Sequence, residues 1–350
     1  MTENRAAKKA ARARMAATGE PYSVARRSAD HGLMADGFHF VALVSGGLGP
    51  GGHGASVRDA RTGAVTDFVK PPPGVAQFTA VTSAGGGLFF LAGHGPLEPG
   101  LRAGAKPAGP APARVYRLQV DDSGRAAELA RLPPDLLPPR CRHITACPGG
   151  SVLAYISAGT GMPPGRLGTG EAGLADLASG KRRPVRLPAG QLCYLSWASD
   201  QQTVAFTWHP GPGGQPGIYV ADTSAAGDWV SQGRLVDATR GLPDDLIDPV
   251  ISADGGEIYC TTAQPDPRGG PHWNRLLAIP VHGGQPRTLF QLRYRANSYN
   301  LHYMWTTACR DATGRYLLAF ATGYAYRVEI PSATFTRLPF PEGQPYAAAW

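Results

Sequence analysis

The chain has 350 residues, with 46 Gly, 33 Pro, a hydrophobic content of 43% and a formal net charge of +8. This apolar content excludes global disorder, and no apolar run reaches the length of a membrane-spanning helix. The 5 Cys include no CxxC pair, so we do not expect a disulfide scaffold. The basic N-terminus has no apolar core, so we do not expect a secretory signal. Both points predict a cytoplasmic protein.

Residues 1–32 are predicted to form a short, basic, helical N-terminal arm. Residues 1–17 are rich in Ala, Lys and Arg, which favour helices, and Gly19 and Pro21 end the helix. The arm carries a net charge of +4, half of the chain's total. It is similar to short helical leaders that precede unrelated domains in actinobacterial proteins. The cations expected to attract an acidic partner are Lys8, Lys9, Arg12, Arg14, Arg26 and Arg27.

From residue 33 onward one sequence repeat recurs. It consists of an apolar strand, a tight turn that ends in Gly, and a second apolar strand. Complete copies occupy residues 80–91, 144–156, 195–206, 250–260 and 307–320. The turns close at Gly37, Gly87, Gly150, Gln202, Gly256 and Gly314. These positions are 50 to 63 residues apart, which suits four strands and their loops. The spacing predicts an all-β, six-bladed β-propeller over residues 33–350.

The first copy, residues 34–44, contains the turn and the second strand but no first strand. Residues 345–350, with the sequence PYAAAW, match the missing strand. A propeller must seal its ring or leave a sheet edge exposed. We therefore predict that the C-terminal strand closes the ring by completing blade one.

Each blade is expected to contain strands a, b, c and d, with the b–c and d–a connections on one face. The predicted b–c loops are rich in Gly and Pro and span residues 45–55, 93–113, 157–172, 209–216 and 264–274. Function tends to reside on such loops. They contain His53, His94, His209 and His272. These histidines lack metal-binding spacing, so we interpret them as solvated side chains and predict no metal site.

Residues 293–305 (RYRANSYNLHYMW) are the densest aromatic and polar stretch, and we predict that they connect strand d of blade five to blade six. Such side chains could clamp a peptide or another ligand, or they could pack between the two blades. The candidate binding residues are Arg293, Tyr294, Arg295, Tyr299, His302, Tyr303 and Trp305.

Residues 249–290 combine Ser252, Asp254, Gly255 and Gly256 in the turn with a later Gly-Gly turn, and residues 195–222 repeat part of this pattern. The pattern resembles the TolB-like, WD40-like (PD40-type) family of propeller repeats. The resemblance implies a propeller fold for most of residues 34–350.

The sequence contains no GxSxG, HExxH or Walker motif and indicates no cofactor. Three hypotheses stay open. The first is a non-catalytic propeller that acts as a scaffold, binding an unknown protein partner through the loop-rich face and the basic arm. The second is an enzyme, or a propeller that binds a small ligand or metal at the mouth of its central channel. The third is association with nucleic acid through the arm.

Overall fold

The structure is a computed structural model that describes residues 39–45, 53–95, 113–139, 141–158, 169–210, 214, 216–224, 227–239, 245–264, 272–294, 308–311, 313–321, 324–339 and 345–350. Within these residues, 24 strands form six four-stranded antiparallel sheets. Each sheet is one blade of a ring, and its strands are called a to d from the centre outward. The six-bladed, all-β propeller predicted from the repeats is confirmed. The predicted arm, residues 1–32, lies outside the described residues.

The strands are numbered β1 to β24 in chain order. Blade one contains β24 (Pro345–Ala349), β1 (His39–Ser45), β2 (His53–Asp59) and β3 (Val65–Val69). Blade two contains β4 (Gln77–Gly85), β5 (Leu88–His94), β6 (Arg114–Val120) and β7 (Ala126–Arg131). Blade three contains β8 (Cys141–Ala146), β9 (Val152–Ala158), β10 (Thr169–Asp176) and β11 (Arg182–Pro184).

The other half of the ring repeats this plan. Blade four contains β12 (Gln191–Trp197), β13 (Thr203–His209), β14 (Gly217–Asp222) and β15 (Arg234–Leu235). Blade five contains β16 (Asp245–Ile251), β17 (Glu257–Gln264), β18 (His272–Pro280) and β19 (Arg287–Tyr294). Blade six contains β20 (Ala308–Arg310), β21 (Tyr316–Ala321), β22 (Tyr324–Glu329) and β23 (Thr334–Leu338).

Blade one combines the first and the last of the described strands. Strand β24 pairs antiparallel with β1, placing Ala349 opposite Val41 and Ala347 opposite Leu43. Strand β24 also contacts β4 and β20, the inner strands of the two neighbouring blades. It therefore occupies position a of blade one.

The hydrophobic core lies between neighbouring blades. Among the described residues there are six buried clusters, and each joins side chains from two adjacent blades. Strands b are covered on both faces, so the five central residues of β5 and of β13 are all buried. Both strands therefore read as continuous apolar runs. Strands d lie at the rim, and all three residues of β11 are exposed. This contrast explains why the sequence repeat is clear for the first two strands of a blade and weak for the fourth.

The described turns between strands a and b each contain at least one residue in the left-handed region. Blade three uses Gly149 (φ +85°) and Gly150 (φ +69°), and blade six uses Gly314 (φ +68°). Blades four and five use Gln201 (φ +62°) and Gly255 (φ +74°). In these two blades the predicted turn ends, Gln202 and Gly256, directly precede strand b.

Neighbouring blades are also joined by polar contacts between the rim of one blade and the c–d turn of the next. The recurring donors are Arg or Thr side chains and the recurring acceptors are turn carbonyls. The bonds run from Thr66 to Gly124 (2.8 Å), from Arg183 to Thr223, from Arg287 to Ile330 (3.2 Å) and from Arg327 to Ala60 (3.4 Å). The last of these joins blade six to blade one.

The fourth strand of blade four is short and follows a helix. This helix, α1 (Trp229–Gln232), begins after Asp228, whose carboxylate accepts hydrogen bonds from the N–H groups of Val230 and Ser231. The buried Trp229 ring packs beside Phe206, with 6.2 Å between ring centroids. Strand β15 then pairs with β14 at the rim, and a 3₁₀ turn, Asp237–Thr239, follows.

Candidate functional site

A cavity of about 390 Å³ occupies the central channel and is lined by the inner strands of all six blades. Its wall is formed by the C-terminal parts of these strands and by the first turn residues after them, including Pro148, Ser199 and Asp311. The cavity therefore lies at the end of the channel beside the a–b turns. This is the end opposite the b–c connections.

The wall of the channel is made irregular by β-bulges. In the described pairings, five of the six inner strands have a register shift against strand b of their blade. The skipped residues are Thr79, Ala84, Arg142, Tyr194, the pair Asp248 and Pro249, and Tyr346. A bulge bends its strand and redirects a side chain, and bulges are frequent beside functional sites.

Tyr194 is the most strained of these bulged residues. Its φ of +51° lies in the left-handed region, which costs a residue other than Gly about 1–2 kcal/mol. Its ring lines the cavity and meets the ring of His143 edge-on, with 6.1 Å between centroids. Strain of this kind persists where the surroundings impose it, and it clusters at ligand sites.

His143 joins the walls of blades three and four. Its Nε2 lies 3.1 Å from both the backbone nitrogen and the carbonyl oxygen of Leu195, so it accepts from the N–H or donates to the carbonyl, depending on the tautomer. Burial lowers the pKa of His143 below its ordinary value, and this effect outweighs the hydrogen bond to the Leu195 backbone.

The lowered pKa of His143 predicts a loss of stability in mild acid. Below pH 6.5, the ordinary pKa of histidine, the unfolded chain takes up a proton that folded His143 resists. The free energy of unfolding should therefore fall with pH, by at most about 1.4 kcal/mol per pH unit, until the folded pKa is reached. Urea denaturation between about pH 5 and about pH 8 measures this slope. His143→Gln should flatten it, and an equal slope in the variant would contradict the assignment.

Arg310 and Asp311 bring opposite charges to the wall of blade six. Asp311 is buried, and it accepts hydrogen bonds from Thr313 and from the Tyr316 N–H (2.9 Å), which fix the a–b turn. Burial raises the pKa of Asp311 despite these bonds. Burial also lowers the pKa of Arg310, although the charge of Asp311 opposes this effect. A guanidinium nevertheless remains charged at any physiological pH.

Three hydroxyl groups of the lining accept hydrogen bonds from backbone N–H groups. Thr82 Oγ1 accepts from Ala146 at 2.9 Å, and Ser196 Oγ accepts from Ile251 at 3.1 Å, so each joins two blades. Ser83 Oγ accepts from Gly85 at 3.1 Å. The indole Nε1 of Trp197 donates to the Thr145 carbonyl at 3.1 Å. The indole Nε1 of Trp350, by contrast, is buried and has no hydrogen-bond partner among the described residues.

Comparisons with known proteins agree on the architecture. No family model and no curated protein matches the chain. Among solved structures, TolB from Acinetobacter baumannii superposes with a TM-score of 0.55 at 13% identity, over 95% of this chain and 73% of TolB. The fold is that of a TolB-like propeller. The tricorn protease superposes with a TM-score of 0.50 at 13% identity, over 86% of this chain but only 29% of the protease.

These likenesses establish the fold of the TolB-like propeller and not its activity, because one propeller fold serves binding proteins and enzymes alike. In the described part of the chain, no helix has the length and apolar character needed to cross a membrane.

The predicted aromatic site is only partly described. Arg293 and Tyr294 are the last two residues of β19, opposite Trp273 and His272 of β18, so they belong to strand d and not to the connection that follows it. Placing them in the connection was wrong because the strand continues past the last apolar residue of its alternation. The remaining candidates lie outside the described residues, namely Arg295, Tyr299, His302, Tyr303, Trp305 and the arm residues Lys8, Lys9, Arg12, Arg14, Arg26 and Arg27. Their role stays a prediction.

The four histidines assigned to b–c loops lie instead at the ends of strands. His94 and His209 end β5 and β13, and His53 and His272 begin β2 and β18. The interpretation of His94 as a solvated side chain was wrong, since its Nε2 lies 3.2 Å from the Cys141 carbonyl of the next blade. The described residues contain no group of three or more His, Cys, Asp or Glu that could hold a metal ion.

Sequence reasoning missed the residues that line the cavity, above all His143, Tyr194, Arg310 and Trp350. Only Arg310 gave a usable signal, as a cation beside a predicted inner strand. The bulge at Tyr194 arises from the backbone pairing of two strands, and no local pattern of residue types indicates it.

Proposed function

We propose that this TolB-like propeller is a non-catalytic binding module that takes a small ligand into the end of its channel beside the a–b turns. The observation that carries the proposal is the cavity, whose wall includes the strained Tyr194. Its volume of about 390 Å³ falls within the range of roughly 300–1,000 Å³ that is typical of small-molecule sites. Binding is favoured over catalysis because the one buried carboxylate of the wall, Asp311, is held by the bonds of its own turn.

Cysteine alkylation offers a direct test, because Cys309 lines the cavity while Cys193, which is also half-buried, does not. The other three cysteines are buried, and burial raises the pKa of Cys141 and of Cys260 to about 12, which keeps these thiols unreactive. We expect a small-molecule filtrate of the native host to slow the alkylation of Cys309 and not that of Cys193, as measured by peptide mass spectrometry. Equal rates with and without the filtrate would refute a channel ligand.

Closure of the ring by the C-terminal strand is part of this proposal. The cavity wall in blade one consists of Ala347, Ala348, Ala349 and Trp350. The strand proposed to close the ring therefore also builds the site. Trp350 contributes further by stacking on Tyr316 of blade six, with 6.3 Å between ring centroids.

A protein partner on the loop-rich face is a second candidate. Tyr324 follows the b–c connection of blade six directly, and the Arg337 guanidinium lies 3.5 Å from the centroid of its ring. Exposed aromatic and Arg side chains are typical of protein interfaces. Replacing Tyr299 and Tyr303 together by Ala should release partners captured from the native host, and unchanged capture would argue against this face.

The basic arm is proposed as a second contact for that partner, with nucleic acid as the alternative acidic target. Deleting residues 1–32 should then abolish any salt-sensitive binding of DNA, whereas retained binding would exclude the arm. A cytoplasmic location also stays a prediction.

A further inference from the structure

Three hydroxyl groups of the cavity wall can donate hydrogen bonds to a ligand. Thr82, Ser83 and Ser196 each use their oxygen to accept a backbone N–H, and no described group receives the proton of any of these hydroxyls. Each O–H therefore remains able to donate to a bound molecule. The wall also contains the carboxylate of Asp311, whose oxygens accept hydrogen bonds within their own turn.

Arg310 adds the strongest donor group to this wall. Within the described part of the chain, its guanidinium forms neither a hydrogen bond nor an ion pair. The carboxylates of Asp254 and Asp311 act on it by charge, but both are occupied by their own turns. Asp254, for example, accepts from Ser252 Oγ at 2.6 Å and from Gly256 N at 3.0 Å. Arg310 is half-buried, and an anion in the cavity would form a charge-assisted pair with its guanidinium.

Trp350 provides independent support from the opposite side of the joint between blades six and one. It lines the same cavity, 9% of its surface is exposed, and its Nε1 is buried without a partner among the described residues. Unsatisfied buried donors are rare in folded proteins, so this one needs an explanation. Arg310 ends β20 and Trp350 directly follows β24, and these two strands contact each other, so a ligand near that joint would have both residues in its wall.

We propose that the ligand of the channel carries an oxyanion, either a carboxylate or a phosphate, which Arg310 binds with help from Trp350 and the hydroxyl groups of the wall. This inference rests on the proposed function, because it names the chemical class of the ligand for the same cavity. An oxyanion supplies acceptors for the guanidinium of Arg310 and for the hydroxyl protons of the wall. Arg matches either oxyanion through paired N–H donors, so the geometry assigns the shared chemistry.

The test measures how far three compounds protect Cys309 against alkylation, with Cys193 as the internal control. The compounds are succinate, inorganic phosphate and succinamide, a neutral analogue of succinate, all at equal ionic strength. Succinate and phosphate distinguish the two sources of oxyanion. Arg310→Met removes the charge and keeps much of the side-chain length. Arg117→Met, on the exposed face of β6, makes the same change in net charge away from the cavity.

We expect at least one of the two anions to protect Cys309, and succinamide to give no protection. Arg310→Met should weaken the protection by about tenfold or more, since a charge-assisted pair is lost. Trp350→Phe should weaken it by about threefold, since one neutral donor is lost. Arg117→Met should have no effect. Protection that is equal in the wild type and in Arg310→Met would overturn the inference.

The native filtrate separates failure of this inference from failure of the proposed function. If the filtrate protects Cys309 equally in the wild type and in Arg310→Met, the channel binds a ligand but the ligand is not held as an anion. If it protects neither, the proposed function fails and the inference fails with it. Should Arg310→Met not fold, passing the filtrate over anion-exchange resin gives the answer without a variant. The inference requires the resin to remove the protective component, and its persistence would overturn the inference.

Discussion

Deletion of residues 345–350 should destabilise the protein by about 5 kcal/mol or more, and abolish its cooperative unfolding in urea. The deletion removes the inner strand of blade one, so the backbone groups of β1 lose their pairing along the channel. It also removes two buried residues, Ala349 and Trp350. The Trp350 ring belongs to the cluster between blades six and one, so its loss opens the contact between the first and last blades.

Deletion of residues 1–32 is the matched control for this truncation. The account places those residues in an arm outside the ring, so we expect their loss to change the free energy of unfolding by less than about 1 kcal/mol. Circular dichroism during urea denaturation compares both truncated chains with the full chain. If removing the C-terminal residues leaves the urea midpoint unchanged, the ring is not closed by this strand.

Gly87→Ala should destabilise the fold by about 3 kcal/mol or more, through left-handed backbone strain and overlap in the core. Gly87 ends the a–b turn of blade two with φ +73°, and a Cβ at this position would overlap the carbonyl oxygen of Val120. Val120 is the last residue of β6, strand c of blade two, and its N–H donates a hydrogen bond to the Gly87 carbonyl at 2.9 Å. The new methyl group would therefore force apart the turn and the strand that it contacts.

Gly86→Ala separates the two causes of this cost. Gly86 has φ +60° in the same turn, but a Cβ there would have no atom within 4 Å. We expect only the backbone strain of about 1 kcal/mol for this variant. Urea denaturation of both variants gives the difference. Equal losses would show that overlap with Val120 contributes nothing.

The fold was largely predictable because the same sequence pattern recurs in each blade. Strands b are buried on both faces, and strands a and b are joined by turns that need a left-handed residue. Both requirements constrain residue types at a regular spacing. The rim strands lack these constraints, so β11, with three exposed residues, gave little signal, and helix α1 was not predicted. Asp228 caps this helix, and Trp229 in its first turn is buried.

The candidate site was much less predictable, because the inner strands of all six blades contribute to it. Arg310 and Trp350 lie 40 positions apart in the chain and line one cavity because β20 and β24 contact each other. Tyr194 contributes through a bulge that depends on its pairing partner. The sequence directed attention to the aromatic stretch before blade six, whereas the described cavity lies at the opposite end of the channel.

Crystals of the protein, grown in the small-molecule filtrate that protects Cys309, would show directly whether a ligand binds in the channel. We expect ordered non-protein density beside the a–b turns, in contact with Arg310 and enclosed by inner strands that include β24. A channel that holds only water, with the ligand bound on the loop-rich face, would contradict this expectation.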